Sequence, residues 1–521
     1  MRERKAVRTV ATMTFATLFS KFLGALRNAL FSAPFGTGSE AVAFTAAQRL
    51  PLSFFDILFS AAITGCFIPA YNSFSTNNKS KKRDSFTTAF FLVVICATVL
   101  MTVMAELFAP QLISLTVRGL DTDTHALAVL LMRIMFPSVI FIGSCYILSG
   151  ILQSKGRFIL PALVSSGSNI LSVVYLLHFS HLKKRTAIIY LAVIYTVSWA
   201  VQFLTLLLPL ICRHKTYRKV PDFRSTEFKK AITGIPATAL SSCLVPTALL
   251  ISTFFASLSS TPGGASVFDY SYIIYIIAAG TLSHGISGFI FPSLSRLAHL
   301  DDGKEFSSAV KKALYYSVYI SLPCSLFFAL ISREMVSVLY LRDSFTNEDA
   351  AAVSRLLGTM VLFIPFYSAG EILLRAFYSK KHRGVPIIAA VTGVLITVYA
   401  TLLLSYFTNK NILSAGVGYG VGQLISSLIL FIFLPRIGVK ITAWRFLYHG
   451  LKIIIPAAFS AAMMVTLYRF TGNNPFTAEA LKDILVSLAV LSAGLVPYTI
   501  RYLSIKLKNM KGGSDIENKK Q

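Results

Sequence analysis

Residues 20–73 read SKFLGALRNALFSAPFGTGSEAVAFTAAQRLPLSFFDILFSAAITGCFIPAYNS, two apolar runs that carry Lys21, Arg27, Arg49 and Asp56 in their interiors. Each run is long enough to cross a membrane, which takes about 20 mostly apolar residues as a helix. A charge at the centre of a bilayer costs about 2.5–3.5 kcal/mol even on the mildest insertion scale. Chains keep such charges where protein or water surrounds them. These four therefore predict a hydrated cavity bordered by the first two helices.

The rest of the chain shares this character. Of 521 residues, 55% are hydrophobic and 14% charged, with a mean hydropathy of +0.67. A soluble protein of this size could not hide so much apolar surface, so the fold class is an all-α polytopic membrane protein. The formal net charge of +27 does not point to nucleic acid. Its lysines and arginines sit in short loops between apolar runs, and no basic patch with interleaved aromatics is present. The six cysteines lie in or beside apolar runs without a CxxC pair and read as small buried hydrophobes. The histidines form no HxxxH or HxxE cluster, and no metal site is expected. The opening MRERKAVRT and the run behind it imitate a signal peptide. That run is too long, contains Lys21 and lacks a small-x-small cleavage site, so it is read as a retained first helix.

About fourteen spans are expected, from Thr9–Phe31 and Glu40–Tyr71 to Lys452–Phe470 and Ile484–Leu503. The second is long enough to be broken or steeply tilted, with Pro51 as the expected kink. With the N-terminus inside, the inner segments hold roughly 33 lysines and arginines against about 8 in the outer ones, which places both termini in the cytoplasm. The exception is His181-Leu-Lys-Lys-Arg185, which falls on the expected outer side. The outer segment Ser332–Ala352 is partly apolar and is expected along the membrane surface. The tail after Lys506 is polar and expected to be disordered.

An internal repeat runs through this series. Phe67-Ile-Pro-Ala-Tyr-Asn-Ser73 closes the second span and Phe289-Ile-Phe-Pro-Ser-Leu-Ser295 the eighth; Ser154-Lys-Gly-Arg follows the fourth and Ser379-Lys-Lys-His-Arg the tenth. Both pairs lie roughly 224 residues, or six spans, apart, and an even number of spans makes the repeats parallel, with a binding site expected at their interface near mid-membrane.

On a helical wheel Ser20, Lys21, Gly24, Arg27, Asn28 and Thr17 share one polar, small-residue face, while Phe22, Leu23 and Leu26 point the other way. Lys21 lies about 18 Å deep, counting 1.5 Å per residue from Thr9, too far for its stem to reach the interface easily. Arg27 lies a turn from the outer end, where either the cavity or snorkelling accounts for it. Arg49, Ser53, Asp56 and Ser60 recur along one face of the second span. Arg49 and Asp56 are expected to compensate one another, directly or through another helix, and a pair that only orients helices is the alternative. Arg133 and Asp269 also fall in or near spans, as do Glu371 and Arg375, spaced to satisfy each other. A cavity holding Lys21, Arg27 and Arg49 favours an anion, and guanidinium matches phosphate oxygens in pairs. There is no GxxxxGK[ST] motif, so energy input has to come from an ion gradient or the membrane potential.

These residues resemble those of a known family. Ser20-Lys-Phe-Leu-Gly-Ala-Leu-Arg-Asn28, Phe35-Gly-Thr-Gly38, Ala43-Phe44 and Arg49-Leu-Pro51 are similar to the opening signature of the MurJ (MviN) flippases. The likeness continues through Phe67-Ile-Pro69, Gly150–Phe158, Pro161-Ala162, Asn169-Ile170, Pro292–Ser295, Arg375–Tyr378 and Pro386. The resemblance implies the multidrug/oligosaccharidyl-lipid/polysaccharide exporter fold: a first six-helix lobe (1–212), a second (213–445), two helices forming a lipid-tail groove (446–505) and a cytoplasmic tail (506–521). It implies a transporter without catalysis or cofactor, which moves lipid II across the bacterial inner membrane by alternating access, with the coupling ion left open. Lipid II, membrane lipids and the cell-wall synthesis machinery are the implied partners.

Within that resemblance, Lys21 and Arg27 are expected to hold the pyrophosphate beside Asn28, with Arg49 assisting and Asp56 tuning or gating. Glu371 and Arg375 are secondary candidates. The family usually has arginine at Lys21, an acid at Val42, and further arginines at Phe55 and near Ile273. Of four familiar cavity arginines, two are thus missing unless Arg49 or another cation stands in. Export of another polyprenyl-linked glycan or small molecule, or a scaffold that has lost transport, are the alternatives.

Overall fold

Eighteen α-helices and no strand make up the described residues of the computed structural model. These are residues 2–439 apart from 61–62, 77–79, 156, 158, 179–181, 214–219, 243, 298–302, 381 and 383. The expected thirteenth and fourteenth spans and the tail lie outside them. Each of the first twelve expected spans falls on a helix or a broken helix. Among the described residues seven helices are long and apolar enough to cross a membrane, and nine when each bent pair is taken as one span.

In chain order the first half holds α1 (Arg2–Phe35), α2 (Ser39–Phe55), α3 (Ile68–Thr76), α4 (Ser80–Leu107), α5 (Ala109–Thr116), α6 (Thr122–Met135), α7 (Ser138–Ser154), α8 (Ile159–His178) and α9 (Lys184–Arg213). The second half holds α10 (Thr226–Ser242), α11 (Leu244–Ser257), α12 (Gly264–Leu297), α13 (Gly303–Leu330), α14 (Ser332–Tyr340), α15 (Asn347–Val361), α16 (Ile364–Ser379), α17 (Gly384–Phe407) and α18 (Leu413–Ile432).

The packing partners recur between the halves. α2 lies on α6 as α12 lies on α15, α4 on α7 as α13 on α16, and α8 on α9 as α17 on α18. The bends recur too: α6 and α7 meet at 40°, α15 and α16 at 46°. Pro137 stands at the first bend and Pro365 just inside α16. Each lacks the N–H that a continuous helix would need there. On α18 Gly418 and Gly422, four residues apart, face Thr401 and Thr397 of α17, where a Cβ would overlap the threonine hydroxyls. Small residues at that spacing let two helices approach closely where no hydrophobic effect drives them together.

The second span departs from expectation. Regular α geometry runs through Pro51, and the change comes at Asp56, where the chain widens into π-helical turns over Asp56–Ser60 and Ile63–Phe67. Such turns leave backbone groups differently aimed and are common at functional sites. The outer segment is partly helical. It forms α14, which buries Ser332, Val336 and Tyr340 and packs on α15 and α1. Exposed apolar side chains line the outside of the bundle, such as Leu100 and Leu107 on α4, Leu204 and Leu208 on α9, and Leu395 and Tyr399 on α17. That belt suits lipid tails. Cys66 and Cys145 are buried as expected, but Cys96 is exposed on α4.

Candidate functional site

α1 packs along α8, and the small residues of its polar face serve that contact: the Asn169 side-chain amide donates to the Ser20 carbonyl at 3.2 Å, and Gly24 faces the same amide. The cations on α1 turn toward the second half. Lys21 Nζ donates to Thr281 Oγ1 of α12 at 3.0 Å, and Thr281 is exposed. Arg27 donates from Nη2 to Asn28 Oδ1 at 2.9 Å and from Nε to the same oxygen at 3.3 Å. Among the described residues neither cation makes an ion pair. Their neutral partners leave both charges available to an anion. Thr17 lies outside the described side chains, Phe22 is 64% exposed, and Leu23 is buried rather than turned to lipid.

Arg49 is engaged differently. Its Nε and Nη2 both donate to Asp269 Oδ1 of α12, the former at 3.1 Å, and Nη1 donates to Thr253 Oγ1 of α11 at 2.7 Å. The guanidinium lies 5.4 Å from the centre of the Phe268 ring and 5.5 Å from that of Tyr272. Only 7% of the Arg49 side chain is exposed, against 20% for Asp269. Among the described residues this is the one ion pair that joins the two halves, the others being Arg83–Asp84, Arg133–Glu106 and Glu371–Arg375. A buried ion pair adds little net stability, but losing one partner strands the other charge. Asp269 also lines a small cavity with Arg27, Asn28, Thr45, Gln48 and Tyr195.

The expected Arg49–Asp56 pairing does not form. Asp56 instead meets the Tyr146 hydroxyl of α7, inside the first half. The wide turn that begins at Asp56 takes it off the face that Arg49 presents to α11 and α12. Phe55, where the resemblance implied an arginine, is fully buried, its ring 5.0 Å from Tyr146 and 5.7 Å from Phe59. Glu371 and Arg375 do pair with each other, at 3.7 Å along α16, a helix packed on α12, α13 and α18.

Where α1 ends, the halves lock together. The Ser344 amide donates to the Ala33 carbonyl at 2.8 Å, and the Tyr270 hydroxyl to the Gly36 carbonyl at 2.8 Å. Gly36 adopts φ +53° directly against the Ser344 carbonyl, a conformation and a closeness that a side chain would not tolerate. Thr37 donates to Asp349 Oδ1, while the other oxygen of Asp349 accepts the Thr346 amide and closes a capping box on α15. Lys184 reaches Ser344 Oγ at 2.9 Å. The cations of 183–185 thus lie at the same end of the bundle as the end of α1, where the span count put them. At the other end α10 packs on the widened second span and on α3 and α4. Both ends of the interface between the halves are therefore bridged around the α1 cations.

A family model described as "Lipid II flippase MurJ" matches residues 31–503. The chain belongs to the MurJ family. Relatives include a "Probable lipid II flippase MurJ" of Bdellovibrio bacteriovorus, 22% identical over 96% of this chain and 95% of that one. The "Lipid II flippase MurJ" of Burkholderia cenocepacia is 25% identical over 88% of this chain and 89% of its own. Among solved structures, one titled "Lipid II flippase MurJ, inward closed conformation" superposes with a TM-score of 0.77 at 21% identity, covering 95% of this chain and 99% of that one. An inward-facing multidrug transporter of the MATE family superposes at 0.69, with 15% identity over 80% of this chain and 94% of that one. This MurJ chain is accordingly a polytopic membrane transporter and not an enzyme. The sequence marks Asp269 as an acid within a span but does not place it in the site. No local pattern joins it to Arg49, 220 residues away.

Proposed function

We propose that the protein flips lipid II, the undecaprenyl-pyrophosphate-linked peptidoglycan precursor, from the inner to the outer leaflet of the bacterial cytoplasmic membrane by alternating access. The observation that carries this reading is the pair Lys21 and Arg27. These are two cations on one helix, inside the membrane-spanning region, with neutral partners, at the interface between two similarly packed halves. A diphosphate needs such charges. Lys21 supplies a mobile point charge and Arg27 a planar fork.

In this reading residues 1–212 and 213–445 form the two rocking lobes, 446–505 hold the lipid tail, and both termini face the cytoplasm. Arg49 serves first as a tie between lobes, and Asp56 tunes the wide turn beside it. No cofactor is required; an ion gradient or the membrane potential supplies the drive, and the names of the relatives support lipid II as cargo. Depleting the protein and identifying the lipid-linked precursor that builds up on the inner leaflet tests the proposal. Accumulated lipid II is the expected result. Accumulation of another polyprenyl-linked glycan would reassign the cargo, and no accumulation would leave a scaffold role.

A further inference from the structure

An acid is out of place on a surface built to receive phosphate, and Asp269 is the one carboxylate among the described residues lining the cavity that holds Arg27. Its position is specific. One of its oxygens takes both the Nε and the Nη2 donors of Arg49, the two parallel N–H groups with which guanidinium grips a phosphate. Arg27, on the same cavity, spends its own donors on the neutral Asn28 amide oxygen. Asp269 thus stands on the cavity wall with Arg27, which makes no direct ion pair, while filling the phosphate-gripping edge of Arg49 behind that wall. The flanking groups reinforce the second arrangement: Thr253 holds Nη1, and Phe268 and Tyr272 cover the guanidinium.

We propose that Asp269 is a resident competitor for the anion subsite, and that the diphosphate of the cargo displaces it from Arg49. The exchange has a mechanical consequence. Arg49 is buried, and a buried cation stripped of its partner is strongly disfavoured. The tie between α2 and α12 therefore holds until another anion arrives to replace the carboxylate. When a diphosphate bridges Arg27 and Arg49, both on the first half, the second half loses its ion pair and is free to separate. Asp269, one-fifth exposed, already reaches the cavity wall, where the incoming anion meets it. Cargo can shift a two-state equilibrium only through a difference in affinity for the two states. Here that difference is the exchange of one anion for another on Arg49. An empty transporter stays tied, and a loaded one is released.

This inference rests on the diphosphate reading above, and the test separates the two. Full-length protein in detergent is titrated with inorganic pyrophosphate by calorimetry, for the wild type, Asp269→Asn, Asp269→Glu and the double variant Asp269→Asn/Arg49→Gln. Removing the competitor is expected to tighten binding at least tenfold in Asp269→Asn, with Asp269→Glu close to wild type and the gain abolished in the double variant. Wild-type binding with no gain in Asp269→Asn would overturn the competition and leave the diphosphate reading standing. No binding to any form up to millimolar concentration would overturn both. A second measurement needs no variant. Hydrogen exchange of wild-type protein at saturating pyrophosphate is expected to speed up at residues 264–272, the start of α12. Unchanged or slower exchange there would contradict the release.

Discussion

At the scale of single residues, the cations differ in burial, Arg49 being buried and Lys21 and Arg27 half-buried, and they differ further in their partners. Lys21 and Arg27 end on a hydroxyl and an amide oxygen, while Arg49 ends on a carboxylate. Neutralising Arg49 should therefore act first on stability. Arg49→Gln leaves Asp269 without its counter-charge, at a cost of about 3 kcal/mol, read as a lowered unfolding temperature in detergent, whereas Arg49→Lys should lose less. Equal stability for both would mean that the ion pair contributes nothing. Lys21 was legible in the sequence because its depth follows from counting residues along one run. Asp269 was not, because its role exists only once α12 is laid against α2, and no spacing rule reaches across 220 residues.

At the scale of elements, the second span separates what composition can say from what packing decides. Its length foretold a break, but the break lies at Asp56 and not at Pro51. A proline can sit in a membrane helix when neighbours satisfy the freed carbonyl, and the wide turn instead begins beside the ring cluster of Phe55, Phe59 and Tyr146. That cluster fills the place where the resemblance implied an arginine. Position 55 faces the interior of the first half, close against Gly143 of α7. Phe55→Arg should not restore a cavity charge. It should bury an unpaired cation and deplete the protein from the membrane, measured as steady-state level. A well-folded, active Phe55→Arg would show that the position borders the cavity after all. The α17–α18 contact offers a parallel test: Gly418→Leu should separate the helices and lower the unfolding temperature, because Thr401 already occupies the space.

At the scale of the whole molecule, two similarly packed halves meet through a shared apolar cluster and a set of specific polar contacts. The apolar runs were enough to foresee the first twelve spans, each of which falls on a helix or a broken helix, since such runs are a property of the chain alone. Which faces of the halves touch was not foreseeable, because hydroxyls, amides, aromatic rings and the two glycines Gly36 and Gly263 make the closure where α1 ends. If transport requires that closure to open, tying it shut should stop transport. Ala33→Cys with Ser344→Cys places two thiols where the backbones already hydrogen-bond at 2.8 Å. Cross-linking that pair with a short bifunctional thiol reagent or as a disulfide should abolish flipping, with the disulfide reversed by reductant, and neither single variant should respond. Continued flipping in the cross-linked protein would argue against rocking of the halves.

The most direct measurement is of lipid II flipping itself, in cells or proteoliposomes, by wild type, Lys21→Gln and Arg27→Gln at matched amounts of membrane-inserted protein. If these two side chains grip the diphosphate, each substitution should cut flipping at least tenfold while leaving folding and insertion intact. Wild-type rates in both variants would contradict the assignment of the cavity.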